Sequence, residues 1–230
     1  EEIAQDRDKL KKELEEIKYG APILLADGKK FYAAKEFTQA RQKFQLLVEK
    51  HSDKPETIEA RKFLSAIDEE ELWNNAISSD DINYTEDYIF KYPKGKYISK
   101  ALPRHNEVKR LNMQKAYDAA LNLNTAYSLK KFLEDYPQHK DASAIRKRII
   151  RLEVEEISGD RATGQIPSFD QYNSDNSSSS SVQITNNTGC ELTVRYSGPD
   201  AEMIKMPVGA TRTVYLSSGS DKIAASACGS

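Results

Sequence analysis

In the first residues of the chain, apolar positions recur among charged ones at helical spacing. The apolar positions lie seven, four and three residues apart and are Ile3, Leu10, Leu14 and Ile17. This spacing places side chains on one face of a helix, and Gly20 and Pro22 then predict its end. We predict an N-terminal amphipathic helix over residues 1–19 that caps the helices after it. The alternative is the end of a longer coiled coil.

Small and aromatic residues in the next segment have the spacing of two antiparallel helices. Pro22 favours a helix start. The residues that carry the pattern are Leu24, Gly28, Phe31, Phe37, Ala40 and Phe44. Small residues let two helices approach, and aromatic rings fill the space between them. This pattern resembles the tetratricopeptide repeat. It departs from that repeat at Leu47, where alanine is usual, and at the terminal proline, which is displaced to Pro55.

A second periodicity, of 44 residues, covers the middle of the chain. The matching pairs are Trp73 and Tyr117, Ala76 and Ala120, Tyr88 and Phe132, Tyr92 and Tyr136, and Pro93 and Pro137. Proline cannot continue a helix and biases its predecessor to extended geometry, so each Tyr-Pro step predicts a helix end. The following helices are expected to start near residues 97–101 and 141–145. We predict three tandem hairpins in a tetratricopeptide-like domain over residues 20–160. Such divergent repeats resemble those of bacterial cell-envelope proteins, including assembly lipoproteins.

Composition and periodicity both change after residue 160. Residues 161–181 are rich in serine and asparagine, which predicts a flexible linker that lets the flanking parts orient independently. Residues 182–230 then alternate with period two. Same-face residues are Val182 with Ile184, Leu192 with Val194 and Tyr196, Ile204 with Met206, Val214 with Leu216, and Ile223 with Ala225. Five short strands separated by turn residues predict a small antiparallel β-module, either a meander or a half-sandwich. The predicted fold class is therefore multidomain α + β.

The β-module has too few residues for assured independent stability. One hypothesis is that a disulfide between Cys190 and Cys228 supports it, with a contribution of about 4 kcal/mol. Such a bond would indicate an exported protein, whereas the alternative is two buried thiols. The other hypothesis is that the natural chain continues with further strands. The module resembles small β-sandwich modules appended to exported bacterial proteins.

Charge and composition limit the classes of function. The formal net charge of −2 offers no basic field for nucleic acid. No apolar run approaches the roughly 20 residues of a membrane span. The chain starts with Glu1 rather than methionine, which predicts a processed or engineered fragment from which any signal or lipid-anchor segment would already be gone. Membrane anchoring through that segment therefore stays open.

We find no residue set with the spacing of a catalytic, cofactor or metal site. His51, His105 and His139 lie near predicted helix junctions, and we expect exposed loop residues rather than ligands. The nucleophile elbow and the phosphate loop are both missing from the sequence. The last helix carries a basic run, Arg146, Lys147, Arg148 and Arg151, for which a solvated face is preferred over a basic groove.

These observations favour a non-enzymatic protein-interaction scaffold of the bacterial cell envelope, exported and either periplasmic or membrane-anchored. It would bind a peptide or protein partner through its helical surface. The candidate contact residues are Asp27, Lys30, Asn74, Asn75, Tyr97, Asp118 and Tyr127. One alternative is a surface ligand- or glycan-binding module on a helical stalk, in which Tyr215 is the outward aromatic residue of the β-module. The other is an accessory region of a longer protein.

Overall fold

The computed structural model of the chain describes residues 2–160 and 178–228, with the side chains of residues 5–16, 18–159 and 178–228. The helices of these residues are α1 (Glu2–Tyr19), α2 (Ala21–Ala33), α3 (Phe37–Lys50), α4 (Glu56–Ser78), α5 (Ile82–Lys91), α6 (Ile98–Leu123), α7 (Ala126–Asp135) and α8 (Ala142–Asp160). The strands are β1 (Ser179–Thr185), β2 (Leu192–Ser197), β3 (Ala201–Met206), β4 (Thr211–Ser217) and β5 (Lys222–Ala227). This order of helical hairpins followed by antiparallel strands confirms the predicted fold class.

The chain forms two compact units, Glu1–Asn112 and Met113–Ser230. The N-terminal unit contains α1 to α5 and the start of α6. The C-terminal unit contains the rest of α6, then α7, α8 and the five strands. Each unit has hydrophobic clusters of its own.

Helix α1 has the predicted extent but not the predicted packing. The side chains of Leu10 and Leu14 are 64% and 63% exposed, so they do not lie against the hairpins that follow. The expectation that this helix caps the array is therefore wrong. Its C-terminal end is fixed, because the ring Nε2 of His51 lies 2.7 Å from the carbonyl oxygen of Tyr19, and the amine of Lys50 lies 4.9 Å from the Tyr19 ring.

The first hairpin, α2 with α3, closes around one glycine. A Cβ atom on Gly28 would lie 2.4 Å from the Cε1 atom of Phe44, so only a residue without a side chain allows this approach. The Phe44 side chain is fully buried and stacks on Phe63 of α4 at 5.0 Å between ring centroids. The predicted pairing of a small residue with an aromatic ring is confirmed here.

The 44-residue periodicity is confirmed at both helix ends. Helix α5 ends before Tyr92 and helix α7 before Tyr136, whose backbone N–H groups donate to carbonyl oxygens four residues back at 2.9 and 2.8 Å. The aromatic residues of the repeat lie between the helices: Trp73, Tyr88 and Phe132 are buried and Tyr117 is half-buried. These rings join the helices of each hairpin, as the spacing predicted.

A further equivalence was not predicted. Arg104 of α6 donates to the carbonyl oxygen of Ser79 at 3.1 Å and pairs with Asp80 at 3.2 Å. The residue 44 positions later, Arg148 of α8, donates to the side-chain oxygen of Asn124 at 2.7 Å. Arg104 thus binds the loop between α4 and α5, and Arg148 binds the loop between α6 and α7.

The five strands form two antiparallel sheets rather than a meander. One sheet pairs β1 with β4, and the other has the order β3-β2-β5. Their facing sides share a core whose buried members are Tyr196, Ile204, Met206, Val214 and Leu216. Strand β1 begins at Ser179, which lies inside the segment predicted as linker; residues 161–177 of that segment lie outside the described residues.

Helix α8 covers the other face of the three-stranded sheet. Arg195 of β2 donates to Glu153 of α8 at 2.7 Å. Because this face is covered, Ala224 of β5 is buried on it beside Arg195, whereas Ile223 and Ala225 share the opposite face, as alternation predicted. The β-module is therefore attached to the last helix by packing, which differs from the expected independent orientation.

A disulfide and a buried amide hold the end of the β-module. Cys190 and Cys228 are bonded, with their Cα atoms 5.5 Å apart. The side-chain amide of the buried Asn186 donates to the carbonyl oxygens of Cys190 and Met206 at 2.8 and 2.9 Å. Together they link the start of β2 to the ends of β3 and β5.

The Gly28→Ala substitution tests the close approach in the first hairpin. The added methyl would overlap a buried, stacked ring, and this overpacking outweighs the gain in helix propensity of about 1 kcal/mol. We expect a net loss of about 1–2 kcal/mol in the free energy of unfolding, measured by urea denaturation followed by circular dichroism. Gly159→Ala in α8 is the matched control, since no atom lies within 4 Å of the position that its methyl group would occupy. Equal effects from both substitutions would contradict this account of Gly28.

The double substitution Cys190→Ser with Cys228→Ser tests the contribution of the disulfide. We expect the β-module to lose about 2–4 kcal/mol, because the closed loop no longer restricts its unfolded state. Hydrogen exchange of the β2 and β5 amides measures this loss locally. The amides of α2 and α3 serve as the internal reference, and loss of their protection to the same extent would argue against a local effect.

Candidate functional site

The N-terminal unit contains a cleft with a volume of about 360 Å³. Aromatic, amide and charged side chains share its surface. The cleft is lined by Tyr32, Ala33, Lys35, Phe37, Glu70, Asn74, Lys96 and Tyr97. It therefore combines the turn of the first hairpin, the middle of α4 and the loop before α6.

A hydrogen-bond network positions the loop that carries Lys96 and Tyr97. The Tyr88 hydroxyl donates to Glu69 at 2.7 Å and accepts from the Tyr97 backbone N–H at 2.8 Å. Glu69 also accepts the backbone N–H of Lys96 at 2.6 Å. A Cβ atom on Gly95 would lie 2.4 Å from the Glu69 Oε1 atom, so the loop needs glycine at this position. Burial comes first among the factors that raise the pKa of Tyr88, followed by its bond to Glu69.

The carboxylate of Glu70 is the electrostatic centre of the cleft. It accepts the Tyr97 hydroxyl at 2.7 Å and the Lys96 amine at 2.7 Å. Burial acts to raise the pKa of Glu70, but the hydrogen bonds from Lys96 and Tyr97 and the charge of Lys35 outweigh it, so the pKa is lowered. Among the residues that line the cleft, two lysines accompany this single carboxylate.

The structure brings together two of the seven candidate contact residues. Asn74 and Tyr97 both line the cleft. Tyr97 is only half-exposed, because its ring stacks on Trp73 at 5.1 Å between centroids. The other candidates lie elsewhere.

Of these others, Asp27 pairs with Lys43 at 2.8 Å, and Lys30 and Asn75 are exposed on α2 and α4. In the C-terminal unit, Asp118 accepts from Gln114 at 2.9 Å and Tyr127 is 78% exposed. These five positions are separate surface residues rather than parts of the cleft.

The sequence prediction missed the rest of the cleft. Phe37 was assigned to packing between helices, and it does pack against Tyr32 at 5.7 Å, but its half-exposed ring also lines the cleft. Lys35 has a φ of 62°, a left-handed conformation that turns the chain between α2 and α3. The sequence indicates a turn at Lys35-Glu36-Phe37. It does not indicate that this turn lies beside the loop before α6.

A second groove, of about 470 Å³, lies between α8 and the three-stranded sheet in the C-terminal unit. Arg146 and Lys147 line it, whereas Arg148 binds Asn124. All four members of the predicted basic run are exposed, but two of them line this groove, so the run is divided between the groove and the solvated face.

Glu153 joins three elements at this groove. It pairs with Lys130 of α7 and with Arg195 of β2. Its side chain is 12% exposed. Burial acts to raise the pKa of Glu153, but the hydrogen bonds and charges of the two cations outweigh it, so the pKa is lowered.

The histidines differ from the expected exposed loop residues. His139 is buried, with its ring centroid 4.6 Å from that of Tyr117 and 5.1 Å from that of Phe132. His105 lies within α6, where its ring nitrogen is 3.1 Å from the Thr85 hydroxyl. His51 is half-buried beside Tyr19. Packing and local hydrogen bonds therefore account for these positions.

Among residues 2–160 and 178–228, no group of three or more His, Cys, Asp or Glu side chains has metal-binding geometry. The same residues include no helix with the length and apolar content to cross a membrane. In the β-module, the Tyr215 side chain is 74% exposed on the outer side of β4, as alternation predicted.

The chain is thus a helical-hairpin region followed by small antiparallel β-sheets. Residues 161–230 match the model of a family described as "Domain of unknown function (DUF6759)". This match includes all five strands and the segment that precedes them. No curated protein matches the chain.

The pH dependence of stability tests the Glu153 contacts. Because the folded-state pKa is lowered, this stabilisation is complete above the ordinary carboxyl pKa of about 4.3 and is lost as the pH falls through the folded value. We expect Glu153→Gln to cost about 1–2 kcal/mol at pH 7 and progressively less below about pH 4. Thermal unfolding between pH 3 and pH 7 measures this difference.

The control for this experiment is Glu155→Gln, since Glu155 is exposed on the same helix. We expect that substitution to change stability by less than about 0.5 kcal/mol throughout the range. A Glu153→Gln effect that does not shrink in acid would refute the assigned ion pairs.

Proposed function

We propose that this protein is a non-enzymatic interaction scaffold of the bacterial cell envelope, with degenerate tetratricopeptide-like hairpins that bind a peptide or protein partner. The observation that carries the proposal is the cleft of the N-terminal unit. Its half-exposed aromatic rings and its exposed amide and ammonium groups suit a contact surface, because such rings offer a large apolar area with few rotatable bonds.

The chemistry of the cleft defines the partner. The rings of Tyr32, Phe37 and Tyr97 offer an apolar surface. Lys35 and Lys96 attract carboxylates, and the amide of Asn74 can both donate and accept a hydrogen bond. The partner is therefore a peptide segment with an apolar or aromatic side chain next to an acidic one.

Two features support a place in the cell envelope. The Cys190–Cys228 disulfide is of the kind that persists in oxidising compartments. The divergent hairpins also resemble those of exported bacterial proteins, as the sequence indicated. An exported scaffold, periplasmic or membrane-anchored, is consistent with both.

Peptide selection on the full chain tests this function. A displayed library of random peptides, selected on the immobilised protein, should yield sequences with adjacent apolar and acidic residues. We expect Asn74→Ala and Lys35→Glu each to weaken their binding about tenfold, the loss that corresponds to one hydrogen bond to a charged or polar group. Fluorescence anisotropy with labelled peptides measures the dissociation constants.

The chain provides matched controls for both substitutions. Asn75→Ala and Lys30→Glu make the same chemical changes at exposed positions outside the cleft. Binding that weakens equally in the controls, or selected peptides that ignore all four substitutions, would reject the cleft as the binding site.

A further inference from the structure

Helix α1 carries an uncovered apolar stripe. Leu10 and Leu14 are about two-thirds exposed, and every side chain from residue 5 to residue 16 is exposed. By sequence position alone, Ile3 and Ile17 extend the stripe along the same helical face. A short charged helix with such a stripe gains most of its stability from a partner that covers it.

The spacing of the stripe assigns a heptad frame, in which positions are lettered a to g and the core positions are a and d. With Ile3, Leu10 and Ile17 at d, the a positions are Arg7 and Leu14. The alternative frame, with Ile3, Leu10 and Ile17 at a, would put Asp6 and Glu13 into the core. Burying unpaired carboxylates is costly, so the first frame is the one that forms.

The charges beside the core identify the partner. In this frame the g positions are acidic, Asp6 and Glu13, and the e positions are basic, Lys11 and Lys18. In a parallel, in-register pair, each g residue faces the e residue of the next heptad in the other helix. Asp6 then faces Lys11 of the second copy, and Glu13 faces Lys18 of the second copy.

The same charges exclude the opposite orientation. An antiparallel pair would place g beside g and e beside e, so carboxylates would face carboxylates and ammonium groups would face ammonium groups. A single charged core residue, Arg7, also helps to fix the register at a cost in stability, and its long side chain can reach outward to water. We infer that α1 is a dimerisation helix, whose partner is α1 of a second copy of this chain in parallel register.

Sedimentation equilibrium of the full chain tests the inference. We expect a concentration-dependent dimer. Leu10→Asp with Leu14→Asp should weaken dimerisation by about 100-fold or more, because two large apolar side chains per copy would no longer be buried. The control is Gln5→Asp with Lys12→Gln, which makes the same change in net charge on the outer face of the helix. A chain that stays monomeric at all concentrations, or a dimer that withstands the leucine substitutions, would overturn the inference.

Cysteine cross-linking tests the orientation. The described residues contain no free cysteine, so Arg7→Cys introduces a single reactive thiol there. Parallel register places the two introduced thiols side by side, and mild oxidation should link the dimer covalently. Lys12→Cys, at an outward position, should link far less. A dimer without cross-linking at position 7 would exclude the parallel arrangement.

A charge exchange tests the flanking pairs. Lys11→Glu with Lys18→Glu makes all four flanking positions acidic, and Asp6→Lys with Glu13→Lys makes them all basic. Each variant alone should be monomeric, whereas an equal mixture should form a heterodimer. All four residues are exposed on α1, so we expect the substitutions to leave the unfolding temperature of the remaining fold unchanged. Dimers of either variant alone would rule out the proposed ion pairs.

Discussion

The packing of the helical region depends on aromatic rings that contact small residues of the neighbouring helix. Gly28 lies directly under Phe44, and buried alanines accompany Trp73 and Tyr88 in one cluster and Phe132 in another. This packing brings the helix backbones close and buries the rings between them. Polar groups are left at the edges of the hairpins, and the cleft forms where three such edges meet.

Much of the helical region could be predicted because its signals are local. The Tyr-Pro steps end α5 and α7 where proline chemistry requires it, and alternation located strands β2 and β4 within a few residues. The contacts that join distant parts of the chain could not be predicted. Arg195 and Glu153 are 42 residues apart in sequence, and nothing beside either residue indicates the other.

The difference between local signals and distant contacts also explains why only two residues of the cleft were predicted from the sequence. Asn74 and Tyr97 were chosen as exposed residues of the hairpins, and exposure follows from helical periodicity. Lys35, Glu70 and Lys96 were missed because the cleft arises from the path of two loops. The path of the loop before α6 depends on Gly95. The sequence alone does not reveal that this glycine lies against Glu69.

Comparison of the repeats shows why the polar network occurs once among the described residues. Tyr88 corresponds to Phe132, and Gly95, shifted by 44 residues, corresponds to His139. Phe132 has no hydroxyl, and in the second repeat the backbone N–H of Asp141 donates to the Nδ1 atom of His139 at 3.2 Å. The His139 ring also packs against Phe132 and Tyr117. Two side-chain differences thus replace a loop bound by a tyrosine hydroxyl with a loop bound by a histidine ring on the same backbone plan.

The disulfide also determines how the β-module would respond to mechanical force. Tension applied to the chain on both sides of the bond passes directly between Cys190 and Cys228. Strands β2 to β5 lie within the bridged segment and are excluded from that path. Strand β1 lies outside it and would be pulled away from β4 first. Most of the module would thus keep its fold while strand β1 detached.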